Sequence, residues 1–173
     1  MRNSGLILGI DPDVEKSGFA LLDCETRTFE YLGTLSFPDA VKFLDGLASR
    51  ETKDITVVIE DSNVSTNWHI NNIQYAPITV LEKIRKAAAM GRSVGKCHAT
   101  AQHLQEYAES VGLQVRLQKP LQKCWKGADR KITHEELSMF VKGLPRRTNP
   151  EVRDACLLSW VTAGFEIRIK VSR

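Results

Sequence analysis

With 173 residues, 42% of them apolar and 26% charged, the chain has the size and balance of one globular domain, and neither a disordered tract nor a fibrous repeat fits that composition. A formal net charge of +3 permits a polyanionic partner without demanding one, so the clustering of charge matters more than its sum. No apolar run approaches the roughly 18 residues of a membrane helix, and "GLILGI" is too short for a signal segment.

The first third reads as strands. "LILGID" (6–11) is a short apolar run closing on an acid, and "GFALLDC" (18–24) and "TFEYLGTL" (28–35) follow across short polar links. Links that short favour antiparallel neighbours. Apolar residues at Ala40, Val41, Leu44, Leu47 and Ala48 then recur at helical spacing and predict a helix over 39–49. "ITVVIED" (55–61) is β-branched and again ends in acids, as a central parallel strand does.

Segment 62–76, "SNVSTNWHINNIQYA", is aperiodic and rich in Asn and Ser, hence a loop. A helical pattern covers about 77–111, with Gly91 and Gly95 expected to break or bend it. A strand at 113–118 and a basic loop at 119–132 come next. A helix over 133–142 opens on Thr133 and Glu136 at capping-box spacing. The last helix, 150–165, starts on Asn149 as N-cap and Pro150 in its first turn. Three strands in a meander followed by helix, strand, helix, strand, helix predict an α/β domain: a five-stranded mixed sheet with helices on both faces, spanning 1–173.

Cys24, Cys97, Cys124 and Cys156 are scattered without a CxxC pair, so no zinc motif is present and a reduced, cytoplasmic protein is expected, with Cys24, Cys97 and Cys156 as buried thiols. His69, His98, His103 and His134 lack metal-ligand spacing and read as structural or surface residues.

The acids are more informative. Asp11 ends the first strand, Glu60 ends the fourth, and Glu151 and Asp154 open the last helix. Parallel packing of strands one and four brings Asp11 and Glu60 to one sheet edge, where open α/β sheets place their sites. Residues three apart on a helix differ by about 60° in direction, so Glu151 and Asp154 can face one point there. Carboxylates gathered in a partly enclosed place raise each other's pKa, and a divalent cation relieves the repulsion. Oxygen-only ligation suits Mg²⁺ or Mn²⁺, and a pair of such ions serves phosphodiester cleavage. Singly, each acid has a plainer reading. Asp11-Pro12-Asp13 makes a turn, Glu60-Asp61 a solvated strand end, and Glu151 and Asp154 ordinary first-turn acids favoured by the helix dipole. It is their coincidence in one fold that points to a site.

The segments "ILGIDPDVEKSGFALLD", "VVIED" and "NPEVRDACLLSW" resemble, in order, the acidic motifs of the RuvC-type Holliday-junction resolvases of the ribonuclease H-like superfamily. "GRSVGKCHATAQHLQEYAESVGLQV" and "KCWKGADRKITHEELSMFV" are similar to that family's long helix and to its basic loop and following helix. The likeness runs through nearly the whole chain, as a divergent member. It implies that Asp11, Glu60, Glu151 and Asp154 are the catalytic acids and hold two Mg²⁺ ions, with Mn²⁺ able to substitute. It also implies that DNA is cut at four-way junctions by a homodimer, and that a basic loop residue, Lys126 or Lys131, lies near the scissile phosphate. Asp13 stands where the family commonly has Gly, and Glu151 where Asp or His is usual.

A polyanion held beside acids needs compensating charge. Lys119, Lys123, Lys126, Arg130 and Lys131 supply it in the basic loop, against Asp129 alone. A second tract, Lys83, Arg85, Lys86, Arg92 and Lys96, lies on the long helix and reads equally as a solvated face. Trp68, Tyr75 and Trp125 are each either a stacking surface for an unpaired base or a loop anchor. The leading expectation is a metal-dependent endonuclease acting on branched DNA. Alternatives are a related nuclease acting on RNA or an RNA–DNA hybrid, and a non-catalytic nucleic-acid-binding module. An actin-like or sugar-kinase-type ATP-binding lobe ranks below them, since it needs a second lobe and further Gly-rich phosphate loops.

Overall fold

The computed structural model describes residues 5–51, 54–61, 73, 75–122 and 124–167. Strands β1 (Leu6–Asp11), β2 (Ser17–Asp23) and β3 (Thr28–Leu35) form the antiparallel meander. Strands β4 (Ile55–Glu60) and β5 (Gln114–Gln118) add in parallel on the other side of β1, giving the order β3-β2-β1-β4-β5. The mixed five-stranded sheet matches the expectation from element order.

The two faces follow from side-chain alternation. Leu6, Leu8 and Ile10 of β1 join Phe19, Leu21, Val57 and Ile59 in one core, covered by helices α1 (Phe37–Ala48) and α2 (Val80–Ser110). Ile7 joins Ala20, Leu22 and Val58 in the other, covered by α4 (Pro150–Thr162), which crosses β1 and β2. A strand buried on both faces must be apolar at nearly every position. Each such Leu or Ile stabilises the fold by roughly 1.5–3 kcal/mol, and the acid at its end is the exception requiring a reason.

Helix starts are set by local side chains. Ser36 accepts the Asp39 amide at α1, Thr79 and Glu82 form a full capping box at α2, and Thr133 and Glu136 form another at the short helix α3 (His134–Ser138). Asn149 Oδ1 accepts the Val152 amide at 2.9 Å, with Pro150 in the first turn of α4.

Several expectations are corrected. Helix α2 runs unbroken through Gly91 and Gly95, starting at Val80 because Thr79 caps it. Among the described residues, no atom beyond the helix's own local backbone lies within 4 Å of where a Cβ would sit at either glycine, so neither marks a close contact there. The cost of about 1 kcal/mol per glycine is carried by the capped start and by the C-terminal turns packed through Ala101, Leu104 and Ala108. Cys24 and Cys156 are buried, but Cys97 is only half-buried, because the buried face of α2 begins after it. Helix α3 stops at Ser138 rather than 142, and α4 at Thr162 rather than 165, where Gly164 takes a left-handed φ of 74°. Most of the predicted loop at 62–76 lies outside the described residues, with Trp68 and His69, and so does Lys123. Among the described residues no helix is long and apolar enough to cross a membrane.

Candidate metal and nucleic-acid site

Parallel pairing of β1 with β4 sets Ile10 beside Ile59, so Asp11 and Glu60 leave the sheet at the same edge. Alternation turns both toward the face that α4 covers, since Asp11 follows Ile7 and Gly9 in phase and Glu60 follows Val58. Two glycines let α4 approach unusually closely. A Cβ on Gly9 would collide with the Ala155 carbonyl and the Ser159 hydroxyl, and one on Gly18 with the Glu151 carbonyl. Gly18 is also the cross-strand partner of Asp11. The first turn of α4 is therefore seated beside Asp11. The Ser159 hydroxyl, 2.9 Å from both the Ala20 and the Ala155 carbonyl oxygens, fastens the helix middle to β2.

Asp11, Glu60 and Asp154 line one cleft with Trp125, Arg130 and Lys131. Burial, then the charges of Glu60 and Asp154, and more weakly Glu151, push the Asp11 carboxyl up to about 8, while Lys131 partly opposes them. Lys131 Nζ lies 2.7 Å from Asp154 Oδ2. Burial alone would lower the Lys131 pKa, but the hydrogen bond and charge of Asp154, with Asp11 and Glu151 behind it, outweigh burial and hold the ammonium above its ordinary range.

All the acids predicted from the sequence therefore share one electrostatic neighbourhood, Glu151 acting on Asp11 from outside the cleft lining. Among the described residues, however, no three His, Cys, Asp or Glu side chains converge tightly enough to form a finished metal cage. The chemistry of the donors nevertheless fits a hard cation. They are carboxylate oxygens, one of them held far from its ordinary ionisation by burial and by its anionic neighbours, with the Lys131 ammonium set among them.

The basic residues divide. Lys131 and Arg130 face the cleft, Lys126 and Lys119 are exposed beside it, and Arg85, Lys86, Arg92 and Lys96 are exposed along α2. Trp125 is half-buried, lining the cleft with one side and stacking on Phe140 at 6.4 Å, which makes it a loop anchor. Asp13 is engaged in its own turn. Its Oδ1 accepts the Glu15 amide, and its backbone exchanges hydrogen bonds with the Ser17 hydroxyl. Tyr75 is 78% exposed, with no described core around it.

Sequence reasoning missed the residues that fix the basic loop. Glu136 registered only as a capping residue, and Arg153, whose guanidinium donates to the Ile132 and Thr148 carbonyls, carried no signal beyond its charge.

No protein-family model and no curated protein matches the chain. Solved structures do. RuvC of T. thermophilus in complex with a Holliday junction substrate matches with a TM-score of 0.56 at 12% identity, over 90% of this chain and 90% of that one. Thermus thermophilus RuvC alone matches with a TM-score of 0.50 at 14% identity, over 92% of this chain and 96% of that one. The fold of this chain is the ribonuclease H-like fold of RuvC.

Proposed function

We propose that the chain is a single ribonuclease H-like nuclease domain, a metal-dependent endodeoxyribonuclease that cuts branched DNA in the manner of a Holliday-junction resolvase. The observation that carries this reading is the meeting of Asp11, Glu60 and Asp154 in one cleft at the foot of α4, with Glu151 close enough to add to the charge that opposes ionisation of Asp11. An inert module has no use for a repulsive cluster built into its core edge. The Holliday junction bound by the structurally similar RuvC supports a four-way junction as the DNA.

In this reading Asp11, Glu60, Glu151 and Asp154 hold two Mg²⁺ ions, or Mn²⁺ in their place. Bound there, the metals supply an activated water and stabilisation of the leaving oxygen. The protein's own part is positioning. β1 and β4 present two carboxylates from rigid strand ends, and α4 brings its carboxylates with the positive end of its dipole. Lys131 and Arg130 offer cationic partners to the phosphate at the cleft, and the exposed Lys119 and Lys126 extend that charge along the flanking backbone. Such contacts position the nucleic acid without reading its sequence.

Junction resolution needs paired cuts, so the working form is a homodimer. The N-terminal half of α2 supports an interface there. Val80, Leu81 and Ile84 are more than half exposed, while buried α2 residues begin only at Ala101. A helix whose C-terminal turns pack on the sheet leaves this N-terminal apolar face for a partner to cover. We place the protein in the cytoplasm, in DNA recombination and repair.

The test is incubation with a mobile four-way junction, a linear duplex and an RNA–DNA hybrid, each with Mg²⁺ and with EDTA. Symmetric cuts in the junction that require Mg²⁺ are the expected outcome. Cutting of the hybrid alone moves the assignment to a ribonuclease, and binding without cutting moves it to a binding module.

A further inference from the structure

We propose that Glu136 is a positioning residue, whose buried carboxylate closes the 125–133 loop so that Lys131 faces the acids; the inference rests on the nuclease reading. Glu136 is 5% exposed, rare for a carboxylate unless it is fully engaged. It accepts the Thr133 amide at 3.0 Å, as a capping box requires. It also accepts the Lys126 amide, 3.2 Å from both carboxylate oxygens. The second contact has no role in starting α3. Its effect is to tie both ends of the loop to one side chain.

Between those ends the chain is folded tightly. The Gly127 amide donates to the Lys131 carbonyl at 3.0 Å, the Lys131 amide to Ala128 at 3.0 Å, and the Trp125 amide to Arg130 at 3.2 Å. Asp129 and Arg130 take left-handed φ of 52° and 58° without being glycine. That conformation is strained for an L side chain and persists only where the surroundings over-determine it. Gly127 has no room for a Cβ against the Lys131 carbonyl. On the far side, Arg153 Nε holds the Ile132 carbonyl at 2.7 Å, so the residue after Lys131 is pinned to α4 itself. Lys131 is thus gripped from both directions, and its long, rotamer-rich side chain meets Asp154 at 2.7 Å with little freedom left in its backbone.

A double-mutant cycle separates positioning from mere structure. Glu136→Ala, Lys131→Ala and the double variant are compared with the wild type for single-turnover junction cleavage in Mg²⁺, for junction affinity in EDTA, and for amide hydrogen exchange at 124–131 by NMR. Glu136→Ala is expected to slow cleavage about 10- to 100-fold while moving affinity by less than about threefold. The double variant is expected to be no slower than Lys131→Ala alone. Glu136→Gln, whose amide oxygen can still accept both backbone donors, recovers most of the rate. Multiplying effects in the cycle, or a Gln variant no better than Ala, overturns the proposal. Should Glu136→Ala fail to fold, the same cycle is run with Glu136→Gln, where a rate loss that persists without Lys131 overturns it. A wild type that cuts nothing defeats the nuclease reading instead. In that case hydrogen exchange decides the clamp: loss of protection at 124–131 with α4 still protected supports it, and unchanged protection overturns it.

Discussion

Gly18 sits against the Glu151 carbonyl while pairing across the strands with Asp11, so one missing side chain joins the strand acid to the helix acids. The α4 backbone rests where a Cβ would otherwise be. Any side chain at Gly18 must push the first turn of the helix outward and carry Glu151 and Asp154 with it.

Gly18→Ala is therefore expected to destabilise the fold by about 1–3 kcal/mol, the usual cost of overpacking a tight contact, and to depress Mg²⁺-dependent cleavage out of proportion to that loss. Urea denaturation and cleavage assays on the same preparation check both parts. Retention of full activity would mean that the close seating of α4 is not needed for the site.

Asp11→Asn is expected to abolish cleavage and leave junction affinity similar or higher, because one anion that repels DNA is gone. The metal-free variant should also melt higher than wild type above neutral pH, since the folded wild type ionises Asp11 against burial and its carboxylate neighbours. Cleavage assays, filter binding and thermal melting in EDTA are the measurements. Normal cleavage by the variant removes Asp11 from the mechanism.

The same shift sets a pH dependence. Folded Asp11 holds its proton up to about 8, against an ordinary value of 3.8, so the folded state binds the proton more tightly than the unfolded one. The stability linked to that proton is fully present at acid pH and is lost as pH rises through the window from about 4 to about 8. If the site binds metal as proposed, Mg²⁺ would take the place of the proton, so its stabilising effect should grow across that window and metal binding should release protons within it. Thermal melting with and without Mg²⁺, at intervals from about pH 5 to 9, checks this. A flat difference across the range contradicts the clustering of charge around Asp11.

Replacing Leu81 and Ile84 together by lysine should convert a dimer to a monomer without unfolding the domain, because both side chains lie outside the described core. Sedimentation at micromolar concentration, with far-ultraviolet circular dichroism as the folding control, tests it. A wild type that is already monomeric places no interface there.

Local signals in the sequence determined a good deal. The apolar runs of β1 and β4 closing on acids, the Asn149-Pro150 start of α4 and the Thr133–Glu136 capping box are each written in neighbouring residues, and the structure contains them. The positions of Asp11, Glu60, Glu151 and Asp154 at element ends were legible for the same reason. Where local propensity was the only guide it misled. Gly91 and Gly95 suggested a break that a capped helix with packed final turns absorbs, and Cys97 looked buried because periodicity says which residues share a face but not where that face leaves the sheet. Tertiary structure alone decided how the pieces meet: the seating of α4 on Gly9 and Gly18, the 2.7 Å contact of Lys131 with Asp154, and the reach of Glu136 to an amide ten residues earlier. Those are contacts between segments whose sequences carry no mark of one another. Periodicity encodes which side of an element is apolar, whereas ion pairs and close backbone approaches depend on distances that exist only once the layers have packed.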